Sequence, residues 1–432
     1  MILIILLASF LVFLLLGMPV AFAIGAASLA ALVASDQSLV LLSHFMYIGM
    51  ESYVLVSVPL FVLAGEIMLR GGMTRSLTEF ADMLVGRLRG GMGHTNIAGS
   101  VFFAGITGSA SADTTALGSV LIPAMAEKGY DRAYATAITI ASSVIGPIIP
   151  PSLTFVIYAM AVGGDVSIGQ LFLAGIVPGI LVAFALMVMN YWISHKRGYE
   201  KRTTRYSFAE IVQITLRSLI VLVMPGIIVL GVLSGNFTAT ESAAVASVYA
   251  LVVCFFVTRT LKLAELPSIF FSSAKVSSIM LLLLATSSIL SYVLTTQGVP
   301  RYLAEFFTSV TENKYVFLLL LNVMLLAIGT VLDLFPAIII FGPIFAQIAD
   351  GYGVDPVHFA VVFCVNLLLG LNTPPVGSGL FIGAAVGRVK LEDLIRQVRP
   401  FILMEVVVLL VLTYVPALTT ELPRELARLL GW

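Results

Sequence analysis

The stretch GPIIPPSL, Gly146 to Leu153, places a proline pair inside hydrophobic sequence, and GLNTPPVGSG, Gly370 to Gly379, does so again. Proline has no backbone N–H and its ring clashes with the preceding helical turn, so each pair predicts a broken helix with unpaired carbonyls. Lipid cannot satisfy such carbonyls, so this backbone must be buried in protein or line a wet cavity. Breaks at corresponding positions in two halves of a chain are typical of the binding site of a membrane carrier.

Composition supports a polytopic, all-α membrane protein. The chain has 432 residues, of which 59% are hydrophobic and 11% charged, whereas a soluble domain usually has about a quarter charged residues. The net charge of zero gives no electrostatic case for a nucleic-acid partner. Cys254 and Cys364 lie in apolar runs with no second thiol or histidine nearby, so we interpret them as packing residues rather than redox or metal sites.

Apolar segments divide the chain into spans and shorter pieces. The run from Ile2 to Ser35 is too long for one span, and Gly17 to Pro19 offers a break. Segments of about 10–15 residues cluster around the polar interruptions, which predicts re-entrant hairpins. The basic stretch from His195 to Arg205, and a second one from Arg70 to Arg89, are expected to be cytoplasmic loops; Asp36 to Glu51 has no Lys or Arg and is expected outside.

The polar interruptions indicate an internal repeat. Upstream of the breaks lie GSASADTT with Asp113 and IGTVLDLF with Asp333. Asp113 matches Asp333 at a shift of 220 residues, as Pro123 matches Pro343, whereas the proline pairs match at 224. We assign the difference to a loop insertion near Gly353. A basic segment follows the first copy but not the second, which favours inverted copies.

The interruptions also suggest a cation site. A carboxylate deep in apolar sequence costs several kcal/mol unless it is paired, and no Lys or Arg is near in sequence. Na⁺ would be a suitable partner for Asp113 and Asp333, together with freed carbonyls and with the side-chain oxygens of Asn372 and Thr373. The alternative for each carboxylate is helix capping, and for each break a simple proline kink.

The substrate is expected to be bound without a buried cation. Lys275 and Arg301 are the charges nearest the apolar bulk of the second half, and we interpret both as snorkelling or loop residues. An anionic substrate would then meet helix N-termini, backbone amides and hydroxyls.

Longer motifs identify a family. GSASADTTALGSVLIPAM, GPIIPPSLTFVIYA, QLFLAGIVPG, GLNTPPVGSGLFIG and PLFVLAGEIM resemble the large membrane subunit of tripartite ATP-independent periplasmic (TRAP) transporters, over essentially the whole chain. The resemblance implies a Na⁺-coupled importer of small organic acids in the bacterial inner membrane. It further implies inverted repeats, two re-entrant hairpins, broken helices and an elevator-type transport domain moving against a scaffold. Its partners would be a small four-helix membrane subunit, expected as a separate chain because nothing before Pro19 leaves room for it, and a periplasmic substrate-binding protein.

The resemblance also implies where the sites lie. The hairpin tips would be Ser109–Asp113 and Gly329–Asp333, and the broken helices Gly146–Ser152 and Asn372–Gly377. The expected Na⁺ ligands are Ser109, Ser111, Asp113, Thr114, Gly146, Pro150, Gly329, Thr330, Asp333, Thr373, Pro374 and Gly377. The expected substrate contacts are Ser109, Ser152, Asn372, Thr373 and Ser378. The domains would be N-terminal scaffold helices (1–70), repeat 1 (71–195), the basic loop with further scaffold helices (196–300) and repeat 2 (301–432).

Two other functions share some of these sequence features. A stand-alone Na⁺/carboxylate symporter would have a similar architecture and would need no binding protein. An intramembrane aspartyl protease is disfavoured, because neither Asp113 nor Asp333 lies in Gly-x-Gly-Asp. The sequence also has no Walker A motif, and we expect no enzymatic activity and no organic cofactor.

Overall fold

The computed structural model describes residues 1–51, 53–163, 166–199 and 206–430, and the described chain is helical with no strand. Residues 200–205 of the predicted basic loop lie outside this part. The helices of the first half are α1 (Ile2–Leu15), α2 (Val20–Ala34), α3 (Val40–Met50), α4 (Ser57–Arg70), α5 (Met73–Val85), α6 (Gly91–Thr107), α7 (Ala110–Glu127), α8 (Arg132–Ser143), α9 (Leu153–Val162) and α10 (Ile168–Arg197). Those of the second half are α11 (Phe208–Leu233), α12 (Ala239–Val252), α13 (Leu266–Thr296), α14 (Val299–Val310), α15 (Lys314–Val331), α16 (Leu334–Gly351), α17 (Pro356–Gly370), α18 (Ser378–Gly387), α19 (Leu391–Tyr414) and α20 (Ala417–Leu430).

Helix lengths fit a membrane protein built partly from short pieces. Six helices of the described chain are long and apolar enough to cross a bilayer, and a seventh span results if α19 and the helix after it, bent by 59°, count as one. Several other apolar helices have only 10–15 residues, among them α9 and α18. The predicted N-terminal break is confirmed: α1 ends before Gly17, whose φ is +81°, and α2 begins after Pro19.

Two helices of the first half were not predicted. α5 occupies the segment expected to be a cytoplasmic loop, and it buries Met73, Leu77 and Ala81 on one face, mainly against α6. Similarly, α3 fills much of the segment from Asp36 to Glu51. α5 has one polar face and therefore no long apolar run, although its apolar residues recur every three or four positions. α3 is a short apolar helix whose apolar sequence is interrupted by Ser43 and His44.

The two copies share a register that differs from the one predicted. Each contains a helical hairpin, α6–α7 or α15–α16, followed by a broken helix, α8–α9 or α17–α18. The second hairpin helix is N-capped by Ser109 in one copy and by Asp333 in the other. The broken helix begins after Asp131 and after Asp355, whose side chains accept hydrogen bonds from the first-turn backbone. Both pairs of caps are 224 residues apart, as are the proline pairs.

One shift of 224 therefore covers the hairpin and the break, and the predicted loop insertion is wrong. Asp333 corresponds to Ser109, while Asp113, one turn inside α7, corresponds to Ala337. The prediction that Asp113 and Asp333 are equivalent is wrong for the same reason. It relied on matching rare residue types, whereas capping positions define where a helix begins.

The helix order makes the copies inverted. A hairpin returns the chain to the side from which it started, the broken helix crosses once, and the long helix α10 crosses back. Three apolar spans of the described chain, Phe208–Leu233, Ala239–Val257 and Leu263–Thr296, then separate the copies. Because three is odd, the second hairpin starts from the opposite face of the membrane, as in inverted-repeat transporters.

Packing between the copies is reciprocal. α7 packs against α18 and α16 packs against α9, while α8 packs against α19 and α17 against α10. Exchanging the copies exchanges these pairs, as a two-fold axis requires. Within each copy, a buried polar contact also joins the broken helix to the long helix after it: the Tyr134 hydroxyl donates to Asn190 Oδ1 at 2.7 Å, and His358 Nε2 lies 3.2 Å from the carbonyl of Thr413. The two broken helices also contact each other directly, α8 with α18 and α9 with α17, so they lie side by side.

Candidate functional site

All four interruptions meet at one cavity of about 140 Å³. Both hairpin tips and both helix breaks contribute to its wall, so the fold joins segments more than 200 residues apart in sequence. The lining residues are Gly108, Ser109, Ala110, Ser111, Thr114, Ser143, Pro147, Asp333, Leu334, Phe335, Leu371, Asn372, Ser378, Gly379 and Ile382.

The first hairpin tip turns at a glycine that must be small. Gly108 ends α6 with φ +56°, and a Cβ there would lie 2.9 Å from the carbonyl oxygen of Pro151 and 3.2 Å from the amide nitrogen of Leu153. The tip therefore rests directly on the first break, which a side chain would prevent. Beyond it, the hydroxyls of Ser109 and Ser111 lie 3.1 Å apart at the cavity.

Asp113 lies fully buried in the first turn of α7. Its Oδ1 accepts a hydrogen bond from the Thr107 hydroxyl, whereas its Oδ2 has no hydrogen-bond partner among the described residues. Oδ2 lies against Gly146 of the first break, so closely that a methyl group on Gly146 would collide with it. An unpaired carboxylate oxygen away from water is costly, so this position is suited to a ligand that the carboxylate can coordinate.

The first break fixes its own backbone. The Ser152 hydroxyl donates to the Pro147 carbonyl and accepts from the Phe155 amide at 3.2 Å, which caps α9. The bond between the prolines, Pro150 and Pro151, is cis. Ser152 and Pro150 are buried and do not line the cavity; Ser152 caps α9, and its contact with the substrate stays a prediction.

The second break is tied to the first half of the chain. Asn372 Nδ2 donates to the Ile140 carbonyl in α8 at 2.7 Å. The Gly377 amide, at φ +54°, donates to the Thr330 carbonyl at the end of α15 at 2.9 Å. These two bonds link the second break to the other broken helix and to its own hairpin. The Pro374–Pro375 bond is also cis.

Asp333 differs from Asp113 in its surroundings. It is exposed at the second hairpin tip, where Oδ1 accepts from the Leu334 amide at 3.0 Å and from the Ser378 hydroxyl at 3.4 Å. It therefore caps α16 and joins the tip to the start of α18. Because Asp333 is exposed and hydrogen-bonded, it lacks the desolvation cost that a buried, unpaired carboxylate would have.

The predicted site residues fall into three groups. Those that line the cavity are Ser109, Ser111, Thr114, Asp333, Asn372 and Ser378. Asp113 and Gly146 lie together beside it. Those outside its lining are Pro150, Ser152, Gly329, Thr330, Thr373, Pro374 and Gly377. Of the last group, Gly329 packs against Gly370, and the Thr330 and Thr373 hydroxyls donate to carbonyls of their own helices.

Sequence reasoning missed several residues of the site. Thr107, the partner of Asp113, lies six positions earlier and had no distinguishing motif. Ser143 and Pro147 line the cavity from the first break, and Phe335 and Ile382 supply its apolar part. Ser143 could have been found, since it lies in the last turn before the break.

Three helices begin at the cavity. Ala110, Leu334 and Ser378, the first residues of α7, α16 and α18, all line it. Helix N-termini carry unpaired amides and a partial positive charge, so they favour an anion. The lining includes one carboxylate, Asp333, and no Lys or Arg.

A wider cavity of about 570 Å³ adjoins the site. It lies between α4, α7 and α13 and shares Ser109, Ser111 and Ile382 with the smaller cavity. Glu66 on α4 also lines it and pairs with Arg70 at 2.9 Å. The small cavity therefore has a wider space beside it, on the side of the first hairpin.

Comparisons with known proteins agree with this architecture. Residues 7–418 match the family model DctM, described as "Tripartite ATP-independent periplasmic transporter, DctM component". The large permease protein SiaM of a sialic acid TRAP transporter from Vibrio cholerae is 36% identical, over 94% of this chain and 95% of SiaM. An isethionate TRAP transporter permease protein, DctMQ, from Oleidesulfovibrio alaskensis is 38% identical, over 95% of this chain but 64% of DctMQ. The crystal structure of the YdaH transporter from Alcanivorax borkumensis superposes with a TM-score of 0.62 at 15% identity, covering 87% of this chain and 86% of YdaH.

Proposed function

The chain belongs to the DctM family, the large permease subunits of tripartite ATP-independent periplasmic transporters, and we propose that it imports a small organic acid in symport with Na⁺. As a member it is a multi-pass transporter subunit of the bacterial inner membrane and not an enzyme. The family implies a small membrane subunit and a periplasmic substrate-binding protein as partners. We propose that the binding protein delivers the acid and that the small subunit is a separate four-helix chain.

Two observations support an acid as the substrate: the groups that line the cavity and the substrates named for two relatives. Three helix N-termini and the hydroxyls of Ser109, Ser111 and Ser378 surround a cavity whose lining has no Lys or Arg. Amides and hydroxyls can bind a carboxylate or a sulfonate without a buried cation. The names of two relatives specify sialic acid and isethionate, a carboxylate and a sulfonate, which supports an acid without choosing between them.

The proposed Na⁺ coupling rests on one carboxylate oxygen of Asp113 that has no hydrogen-bond partner among the described residues. Asp113 Oδ2 is buried, unpaired among the described residues and pressed against the broken backbone at Gly146. A carboxylate beside backbone carbonyls and hydroxyls is a donor set that suits a hard cation such as Na⁺. Asp113, Thr114, Ser109, Ser111 and Gly146 would hold the ion in the first half. In the second half the candidates are Gly329, Thr330, Asp333, Thr373, Pro374 and Gly377, with Pro150 the weakest candidate overall because it is buried behind the first break.

We further propose elevator-type movement of the site. The hairpins and broken helices pack chiefly on one another, whereas α2, α3, α4, α12 and α13 form a second group. The wider cavity lies between α7 of the first group and α4 and α13 of the second. Sliding of the first group along the second would carry the small cavity across the membrane while its four walls stay together.

Uptake into proteoliposomes tests the proposal. With the large subunit, the small subunit and the loaded binding protein present, uptake should require an inward Na⁺ gradient, and Asp113→Asn should abolish the Na⁺ dependence. Glu305→Gln, an exposed acid paired with Arg301 at 2.7 Å, is the control and should behave as wild type. Equal uptake without Na⁺ would exclude the coupling, and uptake by the large subunit alone would favour the stand-alone symporter instead.

A further inference from the structure

A second buried carboxylate lies away from the site, on α19. Glu405 is 1% exposed and sits on a buried helix face with Phe401, Leu409 and Leu412, which are one or two turns away. In sequence it is the only charged residue between Arg399 and Glu421, within FILMEVVVLL. This acid is not part of the proposed Na⁺ or substrate site.

Both oxygens of Glu405 lack a partner. Neither Oε1 nor Oε2 has solvent exposure or a hydrogen bond from any described residue. The neighbouring positions on the same face of α19 are apolar, and the described residues contain no group of three or more His, Cys, Asp or Glu side chains that could hold a metal ion. An intramembrane acid without a partner is a functional candidate by default.

Among the described residues, no titratable group on the surrounding helices donates a hydrogen bond to Glu405. α19 packs against α8, α10, α17 and α18. Tyr134 on α8 contacts Phe401 with ring centroids 5.9 Å apart, but its hydroxyl bonds Asn190. His358 on α17 bonds Thr419 and Thr413. The others on these five helices are Arg132, Tyr191, His195, Lys196, Arg197, Cys364, Glu392, Asp393, Arg396, Arg399 and Tyr414.

We propose that Glu405 is a proton-binding site in the core that holds the two broken helices together. An ionised carboxylate with neither water nor a donor is far less stable there than a neutral carboxylic acid, so the side chain carries a proton at neutral pH. Because α19 packs against both α8 and α17, the proton can leave only if α19 separates from the broken helices. Proton occupancy is thereby linked to tight packing of the core.

The stability of the protein should fall as the pH rises. In an unfolded chain Glu405 would be ionised at neutral pH, whereas in the folded chain it is neutral. Unfolding therefore releases a proton, and stability falls as pH rises from the ordinary glutamate range upward. For one proton, each unit of pH should lower the folding equilibrium constant about tenfold relative to a variant that cannot titrate.

Infrared spectroscopy of the purified full chain tests the proposal directly. The difference spectrum of wild type minus Glu405→Gln at neutral pH should contain the carbonyl band of a protonated carboxylic acid, shifted in D₂O. Raising the pH should lower the melting temperature of wild type more than that of Glu405→Gln. Glu405→Met is the second variant, should the glutamine fold poorly, and Glu305→Gln is the surface control that should follow wild type.

Two results would contradict a protonated Glu405. A band of ionised carboxylate in place of the acid band would overturn the proposal, and so would equal pH dependence of melting in wild type and both variants. Neither readout involves Na⁺ or substrate, so they can succeed even if the Na⁺-coupled function is wrong, and can fail even if it is right. Uptake by Glu405→Gln at neutral pH should persist, because a neutral amide replaces a neutral acid.

Discussion

Substituting Gly146 of the first break should weaken Na⁺ binding at the proposed site while leaving the rest of the fold intact. In Gly146→Ala, the new methyl group would collide with Asp113 Oδ2 and lie 3.0 Å from Asp113 Cγ and 3.2 Å from the Ser143 carbonyl oxygen. Either Asp113 must turn away or the break must shift. Both changes remove the unpaired oxygen from the position in which we place it next to Na⁺.

The size of the effect follows from overpacking. Inserting a methyl group into a well-packed site costs about 1–3 kcal/mol. If that strain falls on the ion-bound state, it corresponds to roughly a 5- to 150-fold rise in the Na⁺ concentration for half-maximal uptake. Saturating Na⁺ should restore most of the uptake, because the three atoms nearest to the methyl group belong to Asp113 and Ser143, both in the first half of the chain.

Uptake measured as a function of Na⁺ concentration provides the assay, and Gly226→Ala provides the matched control. A Cβ on Gly226, within α11, would meet nothing within 4 Å, and alanine stabilises a helix interior relative to glycine. The control should therefore keep the wild-type Na⁺ dependence. An unchanged Na⁺ dependence in Gly146→Ala, or an equal change in both variants, would refute the placement of Na⁺ beside Asp113.

Three further substitutions test the packing that positions the site. Gly370→Ala would put a Cβ 2.5 Å from Gly329 Cα, so it should push α15 from α17 and destabilise the protein by about 1–3 kcal/mol; an unchanged melting temperature would contradict the close crossing. Tyr134→Phe removes the 2.7 Å bond to Asn190 and should cost roughly 1 kcal/mol in thermal unfolding; no loss would mean that this bond does not hold α10. Thr238→Ala removes the capping box of α12 and should cost about 1 kcal/mol while leaving the Na⁺ dependence of uptake unchanged; altered Na⁺ dependence would link this distant cap to the site.

Much of the architecture could be predicted because helix breakers inside lipid have few explanations. The breaks predicted at the two proline pairs and at Gly17 to Pro19 are present in the structure, as are the broken helices and hairpins predicted from the short apolar segments. Backbone that cannot hydrogen-bond in lipid must be sheltered, so these local signals carry global information. The amphipathic helix α5 and the short apolar helix α3 contain no such helix breaker.

The register and the contacts of the site were not accessible in the same way. Aligning Asp113 with Asp333 followed residue type, and only the N-caps at Ser109 and Asp333 reveal the common shift of 224. The bond from Asn372 to the Ile140 carbonyl depends on how the two copies dock. That docking is set by side-chain packing over many residues, which no single motif reports.

The different burial of Asp113 and Asp333 could not be predicted from the sequence either. Both lie in apolar surroundings along the chain, yet Asp113 is fully buried and Asp333 is exposed. The difference arises because the first tip rests on the first break at Gly108, while Asp333 itself caps the start of α16. Sequence could therefore identify candidate ligands, and tertiary packing decides which of them has an unpaired oxygen.

Na⁺ binding to the purified protein tests the central claim most directly. The melting temperature should rise with Na⁺ and not with equal concentrations of K⁺, since a ligand that binds only the folded state at 100 times its Kd adds about 2.7 kcal/mol of stability. In Asp113→Asn this Na⁺-specific rise should disappear, while Glu305→Gln should retain it. An equal rise with K⁺, or an undiminished rise in Asp113→Asn, would contradict a Na⁺ site built from the first hairpin tip and the first helix break.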